Sequence, residues 1–212
     1  MSTRGRFDNR TRSRIRERGA ILVEAAIIAP IAIALVFGAM ELGYAYYGKL
    51  TVEHMSIAGA RAASGSANDY LSDYSMLQAI RDAKGGVGAS SITKIVIYRA
   101  TGPNDRVPTA CKTASVTNSP TTRGCNFYTG ADLSLASTNF GCVGPPGPNI
   151  KKDNFWCPTS RKSALLSTNG NGPPDYVGVY VVGIHKNLVG LFGKTFTFSN
   201  DTVIRIEPRT LR

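Results

Sequence analysis

Histidine is almost missing from this chain: His54 and His185 are the only two in 212 residues, and cysteine is confined to Cys111, Cys125, Cys142 and Cys157. That scarcity leaves little material for a metal centre or for histidine-based acid–base chemistry. No Cys-x-x-Cys spacing occurs and neither histidine lies among the cysteines, which disfavours zinc. No Gly-x-Ser-x-Gly elbow or carboxylate pair marks a hydrolytic centre. The stretch Gly190-Leu-Phe-Gly-Lys-Thr195 ends like a phosphate loop, but Leu188 stands where the leading glycine belongs, so it reads as a turn between strands. An enzyme is disfavoured, and no cofactor, metal or small-molecule substrate is expected. Acidic residues are also sparse, 14 against 25 Lys+Arg, and the formal charge is +11.

Much of that excess sits at the start. Residues 1–19 hold seven arginines against Asp8 and Glu17 and only two large apolar side chains, Phe7 and Ile15, so this arm cannot build a core. From Ala20 to Met40 the chain reads AILVEAAIIAPIAIALVFGAM, with Glu24 its only ionisable side chain. Twenty-one helical residues span roughly 30 Å, the thickness of a bilayer's hydrocarbon core. Seven arginines precede this helix and only Lys49 and Arg61 follow within about twenty residues, which orients the amino terminus to the cytoplasm and exports the rest. The arginines thus read as a topology signal facing anionic lipid rather than as a nucleic-acid site.

Three residues depart from an ordinary anchor. Glu24 places a carboxylate about one turn into the apolar run, where an unpaired charge costs on the order of 2.5–3.5 kcal/mol near the bilayer centre and less near an interface. Pro30 removes a backbone donor and favours a kink. Gly19, between the arginine-rich arm and the first apolar residue, exposes backbone to a peptidase.

Gly19 followed by Ala20-Ile21-Leu22-Val23-Glu24 resembles the class III signal of type IV pilin-like proteins, which a prepilin peptidase cuts after the glycine. The continuation through Pro30, Gly38, Glu41, Gly43, Tyr44 and Ala58-Gly-Ala-Arg-Ala-Ala63 resembles the TadE-like family of pilus assembly proteins. The resemblance covers about residues 18–64, and the closing Thr202-Val-Ile-Arg-Ile-Glu-Pro-Arg209 is similar to the family's carboxy-terminal strand. Ala25 departs from the aromatic residue expected after the glutamate, and the exported part is much larger than a major Tad pilin's. The resemblance implies a minor pseudopilin in a bacterial cytoplasmic membrane. Its implied partners are a prepilin peptidase, other pilin-like subunits, platform proteins and membrane lipid. Gly19, Ala20 and Glu24 would serve processing, and Pro30, Gly38, Glu41, Gly43, Tyr44 and Tyr47 the assembly helix. Two other readings stay open. In one, an uncleaved signal-anchored surface protein binds an envelope or host ligand through its exported domain; in the other, a conventional signal peptide is cut near Ala39 or Ala45.

The helix is expected to run over 20–64, roughly 67 Å, with Tyr44, Tyr47, Thr51, Met55, Ala58 and Ala62 on one mildly apolar face. A break near Gly48 is the alternative. A second helix is expected over Leu71–Lys84, stopped by Gly85-Gly86. Strands are expected at Ile92–Tyr98, Tyr176–Ile184, Lys194–Phe198 and Thr202–Glu207, the last two joined as a hairpin through Ser199-Asn200-Asp201. The fold class is therefore α+β: a transmembrane helix continuing into a small antiparallel head, residues 65–212. Residues 101–175 form an insert with nine of the eleven prolines, eight glycines and all four cysteines, through which no helical or strand period runs. Exported cysteines oxidise, and an even count reads as two disulfides. Of three pairings, Cys111–Cys125 with Cys142–Cys157 closes the shortest loops.

Overall fold

The computed structural model describes residues 10–66, 68–113, 124–143, 151–163, 173–187, 190 and 193–207. The chain divides into two compact units, Met1–Tyr44 and Ala45–Arg212. The described part of the first is all helix and belongs to α1, Arg10–Ser66, which also opens the second. The helix passes Pro30 and Gly48 without interruption. It begins ahead of the expected 20–64 because the preceding residues are rich in arginine, a good helix former. Residues 1–9 of the expected leader lie outside the described residues.

In the second unit the buried face of α1 runs through Val52, Met55, Ser56, Gly59, Ala60 and Ala63. The expected stripe is met at Thr51 and Met55, which are buried, and rotated by about one residue elsewhere: Tyr44 and Tyr47 are exposed and Ala58 and Ala62 only half-buried. Gly59 explains the rotation. A side-chain carbon there would lie 2.9 Å from two carbons of Ile80 and 3.2 Å from Val179, so this position takes the closest approach to the head and turns its neighbours inward with it.

The head is a four-stranded antiparallel sheet in the order β2-β1-β3-β4, with β1 Ile92–Ala100, β2 Cys125–Tyr128, β3 Tyr176–Lys186 and β4 Thr195–Arg205. Alternation explains its layers. Ile95, Ile97, Val177, Val179 and Val181 face α1 and α2, Ser72–Ala83, where Met55, Met76, Leu77 and Ile80 complete a core. Val96, Tyr98 and Tyr180 face the other way, onto Val107, Cys111, Cys125 and Phe127. The middle of β1, Ile95–Tyr98, is apolar and buried because both faces are covered there, while Thr93, Lys94 and Arg99 towards its ends are not buried. Gly85, in the left-handed conformation, follows the end of α2 as the sequence pattern demands.

Two expectations are corrected. Residues Ser199–Asp201 are no turn but the middle of one continuous strand, paired with Val182, Val181 and Tyr180. Their polarity is accommodated locally: Ser199 faces water, Asn200 donates to Ser56 Oγ, and Asp201 accepts from Arg106 and the Val107 amide. The hairpin turn instead falls between β3 and β4, where Asn187 N–H donates to Lys194 O and Gly190 and Gly193 are left-handed. The insert is also not without regular structure. It contains β2, the short helix α3, Thr109–Thr113, and several 3₁₀ turns. Its residues 114–123, 144–150 and 164–172, together with Leu188, Pro208 and Arg209, lie outside the described residues.

Candidate assembly helix and pinned insert

Along the first unit, every described residue from Gly19 to Phe37 is exposed, including Leu22 and Leu35 at 70% and 69%. A run of bare Ile, Leu, Val and Phe this long is unstable in water and needs lipid or other helices around it. It is the one helix among the described residues long and apolar enough to cross a membrane. Ala20 and Glu24 lie one turn apart on it, four residues being one helical step. No atom comes within 4 Å of the place a Gly19 or Gly43 side chain would occupy. Pro30 lies within the exposed stretch, and Gly38 and Glu41 are its buried positions.

The insert is fastened at several points. Cys111–Cys125 ties α3 to β2, and Cys142–Cys157 ties the following 3₁₀ region to the segment before Arg161. Asp153, wholly buried, accepts from the amides of Gly141 and Cys142 inside that second loop. Arg161 and Asp73 form a fully buried ion pair at 2.5 Å, joining the insert to α2. Asp73 Oδ2 also accepts from Asn126 Nδ2 and the Tyr128 hydroxyl, each at 2.7 Å, and Asn126 Oδ1 accepts from the amides of Phe155 and Trp156. The Arg161 guanidinium donates to Trp156 O and lies 4.2 Å from the centre of the Trp156 ring. The result is a cap of α2, β2 and residues 153–163 joined by one buried polar network.

Residues 19–61 match the family model of TadE-like proteins. The match covers about a fifth of the chain, from the exposed apolar helix into the turns that pack on the head. No curated protein and no solved structure matches the chain. The TadE-like segment supports a Tad pilus-associated protein, and that family is structural in character.

Electrostatics within the head is local. Burial, and after it the charge of Asp73, holds the Asp153 carboxyl above the ordinary aspartate range although three backbone amides, those of Gly141, Cys142 and Asp153 itself, favour its ionised form. For Asp132 burial pushes upward, but the Thr129 amide and hydroxyl and Lys152 outweigh it and leave the group below that range. The Asp153 contribution to stability is accordingly present below the unfolded pKa and lost as pH rises through the folded one. The Asp132 contribution is present above the unfolded pKa and lost as pH falls through the folded one. Tyr128 is pushed well up by burial and by Asp73, which keeps its hydroxyl a donor.

The sequence reading placed the four cysteines but missed Asp73, Asn126 and Arg161. One signal was available: Asn126 and Tyr128 flank an apolar residue in a short run, as polar groups do when they need a buried partner. Intact mass spectrometry of the non-reduced protein is expected to show a deficit of about four hydrogens for the two bridges; four free thiols would contradict an exported head.

Proposed function

We propose that this chain is a minor pseudopilin, a pilus assembly protein of a bacterial Tad-type pilus or secretion system, cut after Gly19 by a prepilin peptidase and assembling through its amino-terminal helix. The observation that carries the reading is the exposed apolar helix with a lone acid one turn beyond Ala20, inside the segment that matches the TadE-like family. Cleavage would free the α-amine of Ala20, and in an assembly the amine of one subunit can neutralise Glu24 of the next, relieving a charge that lipid alone would penalise. The chain then sits as a single pass in the cytoplasmic membrane, amino terminus inward and head exported, with other pilin-like subunits, platform proteins and lipid as its partners. Chemistry plays no part: the helix packs and the capped head is presented outward.

Amino-terminal sequencing of protein from cells with an active peptidase is expected to begin at Ala20. Gly19→Phe should block processing without disturbing the fold, because nothing surrounds that position. Glu24→Ala should leave membrane insertion intact or improved and reduce recovery of partner pilins. A mature protein that keeps residues 1–19 would instead favour an uncleaved signal-anchored surface protein, a reading consistent with the continuity of α1 through Gly19.

A further inference from the structure

The two edges of the sheet are treated differently. At one edge every residue of β2, Cys125–Tyr128, is buried, and Phe155 and Trp156 pack against it through Asn126 and the Gly124 amide. At the other edge β4 runs for eleven residues with none buried. Antiparallel pairing alternates which residues bond to the neighbour. Because Asn187 N–H donates to Lys194 O, the even-numbered residues of β4 bond to β3, and the odd-numbered ones turn N–H and C=O outward. Arg205 fits this parity: its carbonyl is taken from outside the sheet by the Ser64 hydroxyl. Thr195, Thr197, Ser199, Asp201 and Val203 remain, and no backbone hydrogen bond from the outer side reaches them.

Natural edges are usually blunted by proline, a bulge, a lysine or brevity. Strand β4 is long, carries no proline or lysine, and pairs with β3 without a register shift; of its two charged residues Asp201 is taken up by Arg106 and the Val107 amide on one face of the sheet, and Arg205 is its last residue. A row of alternating donors and acceptors of this length, about 30 Å, is complementary to one kind of ligand, an extended polypeptide backbone.

We propose that the β4 edge from Thr195 to Val203 is a β-augmentation site that takes an extended strand of a different polypeptide. The side chains flanking the edge set its pattern. Phe196 and Phe198, stacked at 6.2 Å, lie with Ile204 on the α1 side, while Thr195, Thr197 and Ser199 are exposed on the other, so the incoming strand alternates apolar and polar residues.

A second copy of this chain does not fit. Its β2 edge is covered, so like-oriented heads cannot continue one sheet. A parallel β4–β4 pair sets an odd position of one copy against an even position of the other and cannot be two-fold symmetric. An antiparallel pair is symmetric but inverts the helices. The Ala45–Ser66 part of α1 runs with β4, as the successive contacts Gly48 with Phe198, Ser56 with Thr202 and Ser64 with Arg205 show. In that pair the two Ala45 ends, where each chain leaves its membrane segment, fall at opposite ends of the joined strands, which one shared membrane disfavours, a step that rests on the membrane reading proposed above.

The test uses the full chain in detergent micelles and a synthetic probe, Lys-Thr-Val-Thr-Val-Thr-Val-Thr-Lys, with a copy N-methylated at alternate amides as control. In the chain alone, amide exchange should be fast at Thr197, Ser199, Asp201 and Val203 and slow at Phe198, Asn200 and Thr202. The probe should slow the odd set by at least about tenfold, and the N-methylated copy should not. Thr197→Pro removes an outward N–H that β3 does not use, so it should keep its thermal transition and lose the response; Ser199→Pro serves if that variant fails to fold. Odd amides already slow in the dilute chain, no response to the probe, or an unchanged response in both proline variants would overturn the site. Odd amides protected by concentration-dependent dimerisation would overturn the choice of a different chain. Protein with or without residues 1–19 should behave alike, so a failure of processing and a failure of the edge are separately visible.

Discussion

Replacing Arg161 with methionine should destabilise the head by about 3–5 kcal/mol, the cost of leaving one charge of a buried pair without its partner. Asp73 is fully buried, and Arg161 is the only cation within ion-pair distance among the described residues. Asp73→Ala should cost a similar amount, since it strands the guanidinium and leaves the Tyr128 hydroxyl and one N–H of the Asn126 amide without their acceptor, the other N–H donating to Trp156 O. The double variant should be less destabilised than the sum of the two by about 0.5–3 kcal/mol, the range found for groups in one network. Trp156, the only tryptophan of the chain, reports the event directly because the guanidinium lies over its ring. Thermal unfolding of the full chain followed by its emission gives all four corners of the cycle. Strict additivity would show that the pair does not hold the insert to α2.

The same pair marks the boundary of what is legible in the sequence alone. The long helix, α2, β1 and β3 were legible because each carries its own period and its own stop. Strand β2 was not: Cys125-Asn-Phe-Tyr128 is only four residues long, and its asparagine belongs to a core that exists only when Asp73 and Trp156 arrive. Ser199-Asn200-Asp201 has turn chemistry, and only tertiary partners, Ser56 and Arg106, convert it into strand. Arg161 is 88 residues from Asp73, beyond any local pattern. On the assembly helix the residues of the segment were readable in order, while the face they use was misjudged by about a residue, because Gly59 sets the approach and a glycine carries no hydrophobic signal.

Gly130→Ala should be disproportionately costly for the addition of one methyl group. The new carbon would lie 1.9 Å from Ala89 O, 2.8 Å from Ala89 C and 2.9 Å from Ile92 O, all backbone atoms. No rotamer change can relieve such a clash, so one of two chain segments must move. Neither is free. Ala89–Ser91 leads directly into β1, whose Ile92 pairs with Gly183, and Gly130 follows Tyr128, paired with Ile95. A reciprocal cap between Thr129 and Asp132 spans it and locks the turn. Overpacking of side chains costs typically about 1–3 kcal/mol, and a backbone clash held between two paired strands belongs at or above the top of that range. Gly86→Ala is the matched control: nothing lies within 4 Å of that position and its conformation is not left-handed, so alanine there should be neutral or stabilise by about 0.4–1 kcal/mol. Thermal midpoints of the two variants, measured side by side, should differ in sign or by several degrees. Equal midpoints would mean that the turn before β1 and the turn after β2 do not touch, and with them the way the insert is seated on the sheet would have to be redrawn.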